Sequence, residues 1–517
     1  MSFREAVAKS HECSSTSKGF VVSATEFLYT LLRLQFGVSA SFHFLFVPLS
    51  IGLLLCVNLL QTAQVLSGED KYAHAARLWR RFFFLCWLTG MVTGYPMRWQ
   101  LQTNWSSFTL AAAPILSEIF SIEGLIAPFM LAGVAITMLG RRFLGERLHM
   151  LVGWVLLGLL GMQSLTILAV NAWMQHPVGV SFEGAAWRLQ SLDQILWSET
   201  ALHKFWHTLS GAALSGALCV LALSASLLLR QRHREVAGAS IRMAAWVGML
   251  GVVSVLVSGH ESATGVARNQ PMKFAVIEGH WDRSEGPAPL VLFAMPDEST
   301  NANRFEIRVP YLMSLMVTDT LESVPGINDL TQRDEDRLAY ALMRPDDPRQ
   351  KGYLMLYNAA SERFAGQWAT WTREERIAKA ALTARPSVAP LFWAFHVMVI
   401  SGVLLLALCT WVFIQREELA NGSHKWLLHG VRLGLPLPWV AILSGWAVAE
   451  VGRQPWTVYE QLPTFQAMLP PPIETVVLNV FIMFTAGLLI TAAFALFWRK
   501  AYLAPVDVNK LRTGEPA

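Results

Sequence analysis

The sequence predicts an all-α integral membrane protein with about nine transmembrane helices and one long outer loop between the sixth and seventh. Three observations lead there: bulk composition, apolar runs of spanning length, and the placement of Lys and Arg. Of 517 residues, 53% are hydrophobic and only 15% charged, with a mean hydropathy of +0.39. A water-exposed surface does not have that balance. Apolar runs long enough to cross a ~30 Å hydrocarbon core fall at 36–62, 80–97, 108–139, 150–173, 205–229, 240–260, 388–413, 431–450 and 473–497.

The basic residues set the orientation. Arg77, Arg80 and Arg81, then Arg141, Arg142 and Arg147, then Arg230, Arg232, Arg234 and Arg242, then Arg416 and Lys425, and finally Arg499, Lys500, Lys510 and Arg512 share one side if the N-terminus is outside. By the positive-inside rule that side is cytoplasmic and the N-terminus periplasmic. The isoelectric point near 8.8 then reflects topology, and no nucleic-acid partner is implied. Met1 to Gly19 lacks an apolar run followed by a small-residue cleavage site, so the first span serves as its own insertion signal. Cys56, Cys86, Cys219 and Cys409 lie in apolar spans and Cys13 in the N-terminal tail, a scatter that suits small hydrophobes and no disulfide framework.

The chain divides accordingly. Residues 1–260 hold helices one to six, 261–386 an ordered outer module, 387–500 helices seven to nine, and 501–517 a cytoplasmic tail. The outer module mixes charge, proline and short apolar runs, and a connection that long is more often functional than inert. Trp99, Trp105, Trp173, Trp206 and Trp456 fall near span ends, where tryptophan anchors helices at the membrane interface.

Ionisable and soft-ligand side chains inside spans point to chemistry. His43 lies in the apolar context "SASFHFLFVPL" and Met398 in "AFHVMVISG"; either is a ligand or a packed core residue. His203 and His207, four apart in "ALHKFWHTLSG", share a helix face, with His203 interfacial and His207 the deeper ligand candidate. Glu118 and Glu123 are five apart in the third span and fall on different faces. Glu450, in "AVAEVGRQPW", ends an apolar helix. A carboxylate in a membrane helix costs about 2.5–3.5 kcal/mol on insertion scales and calls for a partner. Two classes stay open on these residues: a haem-bearing redox protein, since imidazole and thioether suit haem iron, and a cofactor-free proton-coupled transporter. The paired broken helices of a transporter are not seen.

Taken together, the motifs resemble subunit I of the cytochrome bd-type quinol oxidases along nearly the whole chain. "LLRLQFGVSASFHFLFVPLSIG" resembles the family's first helix, which implies His43 as a haem ligand and Arg33 as the arginine near the haems. "KFWHTLSG" and "SVAPLFWAFHVMV" resemble the segments supplying the axial ligands of a low-spin b haem, His207 and Met398. "LPLPWVAILSGWAVAEVGRQPW" resembles the segment with Trp446, the haem-ligating Glu450 and Arg453, which balances carboxylate or propionate charge. "TNWS", "NAWMQHPVG" and "SGHES" resemble further blocks. In "QPMKFAVIEGHW", Lys273 and Glu278 match a pair implicated in quinol oxidation. The resemblance implies a ubiquinol or menaquinol oxidase of the bacterial inner membrane that passes electrons through low-spin haem b to a high-spin pair, haem b with haem d or a third haem b, where oxygen is reduced to water. It also implies a second membrane subunit, often a very small single-helix one as well, and proton uptake from the cytoplasm.

Some positions depart from the family pattern. Glu123 keeps the Ile-Glu-Gly glutamate of the proton path, but the second glutamate, eight residues on, is Leu131. An aliphatic side chain cannot relay protons; Glu118 is an alternative carboxylate toward the opposite end of that helix. Arg98 replaces a common glutamate, His396 an arginine two residues before the ligand methionine, and His260 an acidic residue. The first reading stays the oxygen-reducing oxidase; the runner-up is a divergent haem-bearing quinol oxidoreductase with a different electron acceptor.

Overall fold

The computed structural model describes residues 24–183, 186–318 and 321–503. The N-terminal tail, with Cys13, and most of the expected C-terminal tail lie outside the described residues. The long helices are α1 (Ala24–Ser67), α2 (Asp70–Asn104), α3 (Ala113–Leu139), α4 (Arg141–Gln175), α5 (Glu199–Leu229) and α6 (Arg234–Asn269). Next come the short helix α7 (Pro271–Ile277), strands β1 (Leu290–Asp297) and β2 (Ala302–Val309), and helices α8 (Ile327–Met343), α9 (Lys351–Arg363) and α10 (Arg373–Ala384). The chain then returns through α11 (Val388–Ile414), α12 (Lys425–Leu433), α13 (Leu437–Val451) and α14 (Ile473–Leu503).

Among the described residues eight helices are long and apolar enough to cross a membrane. The expected span 80–97 lies inside α2, which is helical throughout but free of charge only between Arg81 and Arg98. α6 runs past the expected boundary at 260 to Asn269, so the outer module proper begins with α7. The β1–β2 hairpin is antiparallel.

α5 is the most enclosed of the eight. Its small residues let α1 come very close: a Cβ on Gly52 would strike the backbone of Ala212 and Gly216, and one on Gly216 the backbone of Gly52. Without a hydrophobic drive between helices in lipid, such contact is how spanning helices gain packing. Leu53, Leu54 and Val57 of α1, Phe83 and Cys86 of α2, Ala217 and Val220 of α5 and Ala244 of α6 continue this core. A second layer, Leu214 and Leu218 of α5, Val252 of α6 and Leu405 and Cys409 of α11, joins α11 to the bundle.

The outer module is seated on the spanning helices. Phe274, Val276 and Ile277 of α7 pack with Ile327 and Leu330 of α8 and with Val388 and Leu391 of α11. A polar clamp joins it to the loop after α13: Arg337 Nη1 donates to Glu460 Oε1 (2.5 Å) and to the Tyr353 hydroxyl (3.0 Å), which donates to Asp334 Oδ1 (3.0 Å). Tyr459 N donates to the Met174 carbonyl of α4 (3.0 Å).

This cover corrects the tryptophan expectation. Trp206 is exposed, but Trp105, Trp173 and Trp456 are buried in protein, Trp173 against Trp187 (5.2 Å between ring centroids). A span end was readable from the sequence; the extramembrane chain folded over it was not. We predict that Gly52→Val or Gly216→Val lowers the unfolding free energy by at least about 1–3 kcal/mol through overpacking. Gly158→Val, at a position where nothing lies within 4 Å of a Cβ, should leave the thermal midpoint of the solubilised protein nearly unchanged.

Candidate functional site

The two histidines singled out in the spans are oriented alike. His43 Nδ1 lies 3.0 Å from Thr93 Oγ1 of α2, and that hydroxyl donates to the Thr89 carbonyl (2.8 Å). His207 Nδ1 lies 3.1 Å from Ser258 Oγ of α6, and that hydroxyl donates to the Ser254 carbonyl (2.7 Å). A hydroxyl that has spent its proton on a carbonyl must accept, so each Nδ1 carries the hydrogen. Each Nε2 is left with its lone pair, the state a metal-ligating imidazole needs.

Packing sets the depth of His207 and Met398. Each lies seven residues, two helical turns, before a member of the shared core layer, Leu214 and Leu405 respectively. They therefore stand at a common level on α5 and α11, both packed against α6. The Met398 sulfur lies 3.0 Å from where a Cβ on Gly445 of α13 would stand, so a larger residue there would press on the thioether. His203, one turn before His207 on α5, has Nε2 4.0 Å from Glu261 Oε2.

Glu450 occupies the centre of a polar network. Asn171 Nδ2 donates to Glu450 Oε1 (2.8 Å), Arg453 Nη2 pairs with Glu450 Oε2 (2.6 Å), and Lys204 Nζ donates to Asn171 Oδ1 (2.8 Å). Gln175 Nε2 donates to the Ala449 carbonyl (2.9 Å) while its Oε1 accepts from Lys273 Nζ (2.7 Å). Lys273 also donates to Gln270 Oε1 (2.8 Å). One turn below Glu450, Trp446 stacks on Phe44 (4.0 Å, 5°), the neighbour of His43, so α13 brings the two ligand candidates onto adjoining helices. Arg33 is exposed, about three turns from His43 along α1.

Lys273 and Glu278 are not the exposed ion pair their sequence spacing allows. Both are buried at 4% exposure, and no bond joins them. Burial, then the nearby Lys204, hold the Lys273 ammonium well below the ordinary lysine range. Glu278 Oε2 has no donor among the described residues, and burial raises its carboxyl to about 8.

The departing residues scatter. Glu123 accepts from Thr166 Oγ1 (3.4 Å), whereas Glu118 is exposed and Leu131 is 52% exposed on α3. Arg98 lies over the Phe120 ring (4.3 Å), one turn from Glu123. His260 is exposed. His396 does not reach for a haem edge: it is buried, with Nδ1 2.8 Å from the Phe392 carbonyl and Nε2 2.9 Å from the Val291 carbonyl of β1.

Imidazole, thioether and carboxylate form a donor set suited to haem iron. Arg453 is 6% exposed and keeps Nε and Nη1 without an acceptor among the described residues. A buried propionate would satisfy that guanidinium. The residues present therefore fit the group the resemblance implies.

One pH dependence follows from Glu278. Its carboxyl holds a proton to about pH 8 when folded but only to about 4.5 when unfolded. Stability is thus full below pH 4.5 and is lost as pH rises from there through about 8. Glu278→Gln should flatten that decline in thermal midpoints measured from pH 5 to 8.5; an unchanged slope would contradict the assignment.

Residues 31–504 match the family model of cytochrome bd terminal oxidase subunit I. The chain is 33% identical over 457 residues to cytochrome bd-II ubiquinol oxidase subunit 1 of Escherichia coli (strain K12), covering 84% of this chain and 89% of that relative. It is 29% identical over 443 residues to cytochrome bd ubiquinol oxidase subunit 1 of Bacillus subtilis (strain 168), covering 85% and 86%. The solved structure of bd oxidase from Geobacillus thermodenitrificans matches with a TM-score of 0.74 over 92% of this chain and 99% of the matched chain, at 21% identity, a likeness of fold. With these matches and its apolar helices, this membrane protein belongs to the cytochrome bd terminal oxidase subunit I family.

Proposed function

We propose that the chain oxidises quinol at the outer face and passes the electrons through a low-spin b haem to a high-spin haem pair, where oxygen is reduced to water with protons from the cytoplasm. His207 and Met398 hold the low-spin haem; His43 and Glu450 serve the high-spin pair, which is haem b with haem d or a third haem b. The observation that carries this reading is the matching hydroxyl contact at Nδ1 of His43 and His207, Thr93 and Ser258, which leaves a lone pair on both Nε2 atoms. Bound haem supplies one-electron transfer and the oxygen chemistry. The chain supplies ligation, charge balance through Arg453 and proton handling.

Quinol oxidation must release two protons with two electrons. The donor-free Glu278 Oε2 is placed to accept a quinol hydroxyl, and a carboxyl raised to about 8 is a useful base near neutral pH. Lys273, fixed between Gln175 and Gln270, orients the head group. Arg33 and Trp446 contribute to the haem surroundings, and Glu123 to proton delivery. The partners are the second membrane subunit of the oxidase and a small single-helix subunit, in a bacterial inner membrane with the N-terminus periplasmic.

A second reading, a haem-bearing quinol oxidoreductase with another electron acceptor, is favoured by Leu131, which puts an exposed aliphatic group at the second position of the proton path. Quinol-dependent oxygen uptake by the haem-loaded protein separates the two: uptake supports oxygen reduction, and quinol oxidation without uptake supports the alternative.

His207→Ala or Met398→Leu should abolish the low-spin haem signal and leave the high-spin pair partly occupied. Unchanged reduced-minus-oxidised spectra would overturn the ligand assignment. Glu278→Gln should slow quinol-driven turnover about 100-fold, the usual scale for a lost general base, and affect oxidation of an artificial donor much less. Equal losses with both donors would remove Glu278 from the quinol site.

A further inference from the structure

The β1–β2 hairpin carries more apolar side chains than its packing uses. Successive residues of a strand point to opposite faces, so the run "LVLFAMPD" cannot bury all of its side chains against one partner. Val291 and Ala294 face α11, where they pack on Phe392. On the other side Leu292, Met295, Phe305 (77% exposed) and Ile307 (58%) form an exposed apolar patch, which Tyr311 and Leu315 extend beyond β2. The inner side is firmly held: Asn303 Nδ2 donates to the Gly279 carbonyl (2.8 Å), and its Oδ1 accepts from Trp281 Nε1 (2.9 Å). A patch of this kind on a fixed element marks an interaction surface.

Contacts with α11 set the depth of the hairpin. Glu298, just after β1, accepts at Oε1 from the backbone N–H of Val388, the first residue of α11 (2.7 Å). Phe293 packs edge-on against Trp393 (5.4 Å between ring centroids), and the Val291 carbonyl lies 2.9 Å from His396 Nε2. β1 thus follows α11 down its first two turns, about 12 Å. α11 is a spanning helix of 27 residues. Counted back from Arg416, the about 20 residues that cross a hydrocarbon core reach His396. The hairpin therefore lies at headgroup level, with its open end at the edge of the hydrocarbon.

The face of α11 beneath β1 continues toward lipid. Side chains three or four apart share a helix face. Phe392 and His396 are buried where the strand lies, and the next positions on that face, Val399, Ile400 and Val403, are exposed on the spanning helix. Charge points the same way. Arg304 and Arg308 stand beside the patch, but each pairs with a carboxylate of the hairpin, Asp297 and Glu306 respectively. Two cations against two anions leave an apolar surface that needs no acidic lipid.

We propose that the exposed face of β1–β2 rests in the lipid leaflet beside α11, with Phe305 and Ile307 against the upper acyl chains and Arg304 and Arg308 among the headgroups. Amphipathic elements with aromatic and apolar groups on one face settle at this level of a bilayer. The outer module is then anchored by lipid as well as by its protein contacts. The proposal is independent of the haem and quinol readings.

The test uses the haem-loaded protein in phosphatidylcholine nanodiscs. The four described cysteines are buried, so in a Cys13→Ser background one fluorophore can be attached through Phe305→Cys. Asp346→Cys, in the exposed charged turn between α8 and α9, is the control. Position 305 should lose most of its emission to phosphatidylcholine carrying a nitroxide on its acyl chain and little to aqueous iodide; position 346 should show the reverse. Added salt or phosphatidylglycerol should leave this pattern unchanged. Quenching of position 305 by iodide would put the face in water, and quenching by neither agent would put it against the second subunit or another bound partner. Either result overturns the proposal, as does lipid quenching that requires phosphatidylglycerol. If the labelled variant does not fold, the native protein decides: a photoactivatable phosphatidylcholine should crosslink within residues 292–309, and crosslinks confined to the spanning helices would overturn it.

Discussion

Glu450 is a carboxylate that a membrane helix cannot carry alone, and the outer half of the molecule is organised around holding it. Arg453 supplies a cation one turn away, and Asn171 supplies a donor that Lys204 fixes from the opposite side. Gln175 ties the neighbouring backbone at Ala449 to Lys273 of the outer module. Four separate parts of the chain thus meet at one carboxylate: α4, α5, α7 and the end of α13. Removing one partner of such a network leaves buried groups unpaired, which costs more than an intact pair contributes.

The same geometry limits how freely the outer module can move. It is bonded through Lys273 to α4, and through Arg337 and Tyr353 to the loop that follows α13. That loop is in turn bonded to the α4 carbonyl of Met174, one residue from Gln175. The module is therefore fixed to α4 by two routes, and a distortion of one is resisted by the other.

Much of this was legible in the sequence, for identifiable reasons. His43, His207, Met398 and Glu450 stand out because polar or soft-ligand residues are conspicuous against apolar neighbours. Asn171, Gln175, Lys204 and Gln270 lie inside the same quoted motifs but carry no such contrast; their roles exist only once α4, α5, α7 and α13 are assembled. Burial was the hardest quantity to read. Lys273 and Glu278 have the spacing of an exposed pair yet are enclosed separately, and Trp105, Trp173 and Trp456 sit at span ends yet face protein. His396 occupies an arginine position but turns toward a strand whose docking no local pattern announces.

Under the proposed haem assignment, the close contact of Gly52 with Gly216 would bear on electron transfer. These glycines follow His43 and His207 by the same interval, nine residues, on helices that run in one direction when successive spans alternate. Backbone touching backbone leaves no side chain to flex and no gap for water, so the contact acts as a rigid datum from which both histidines project at matched depth. Tunnelling rates fall steeply with separation and suffer when the surroundings must rearrange. A joint with nothing soft in it would keep both the distance and the reorganisation energy nearly constant from one turnover to the next.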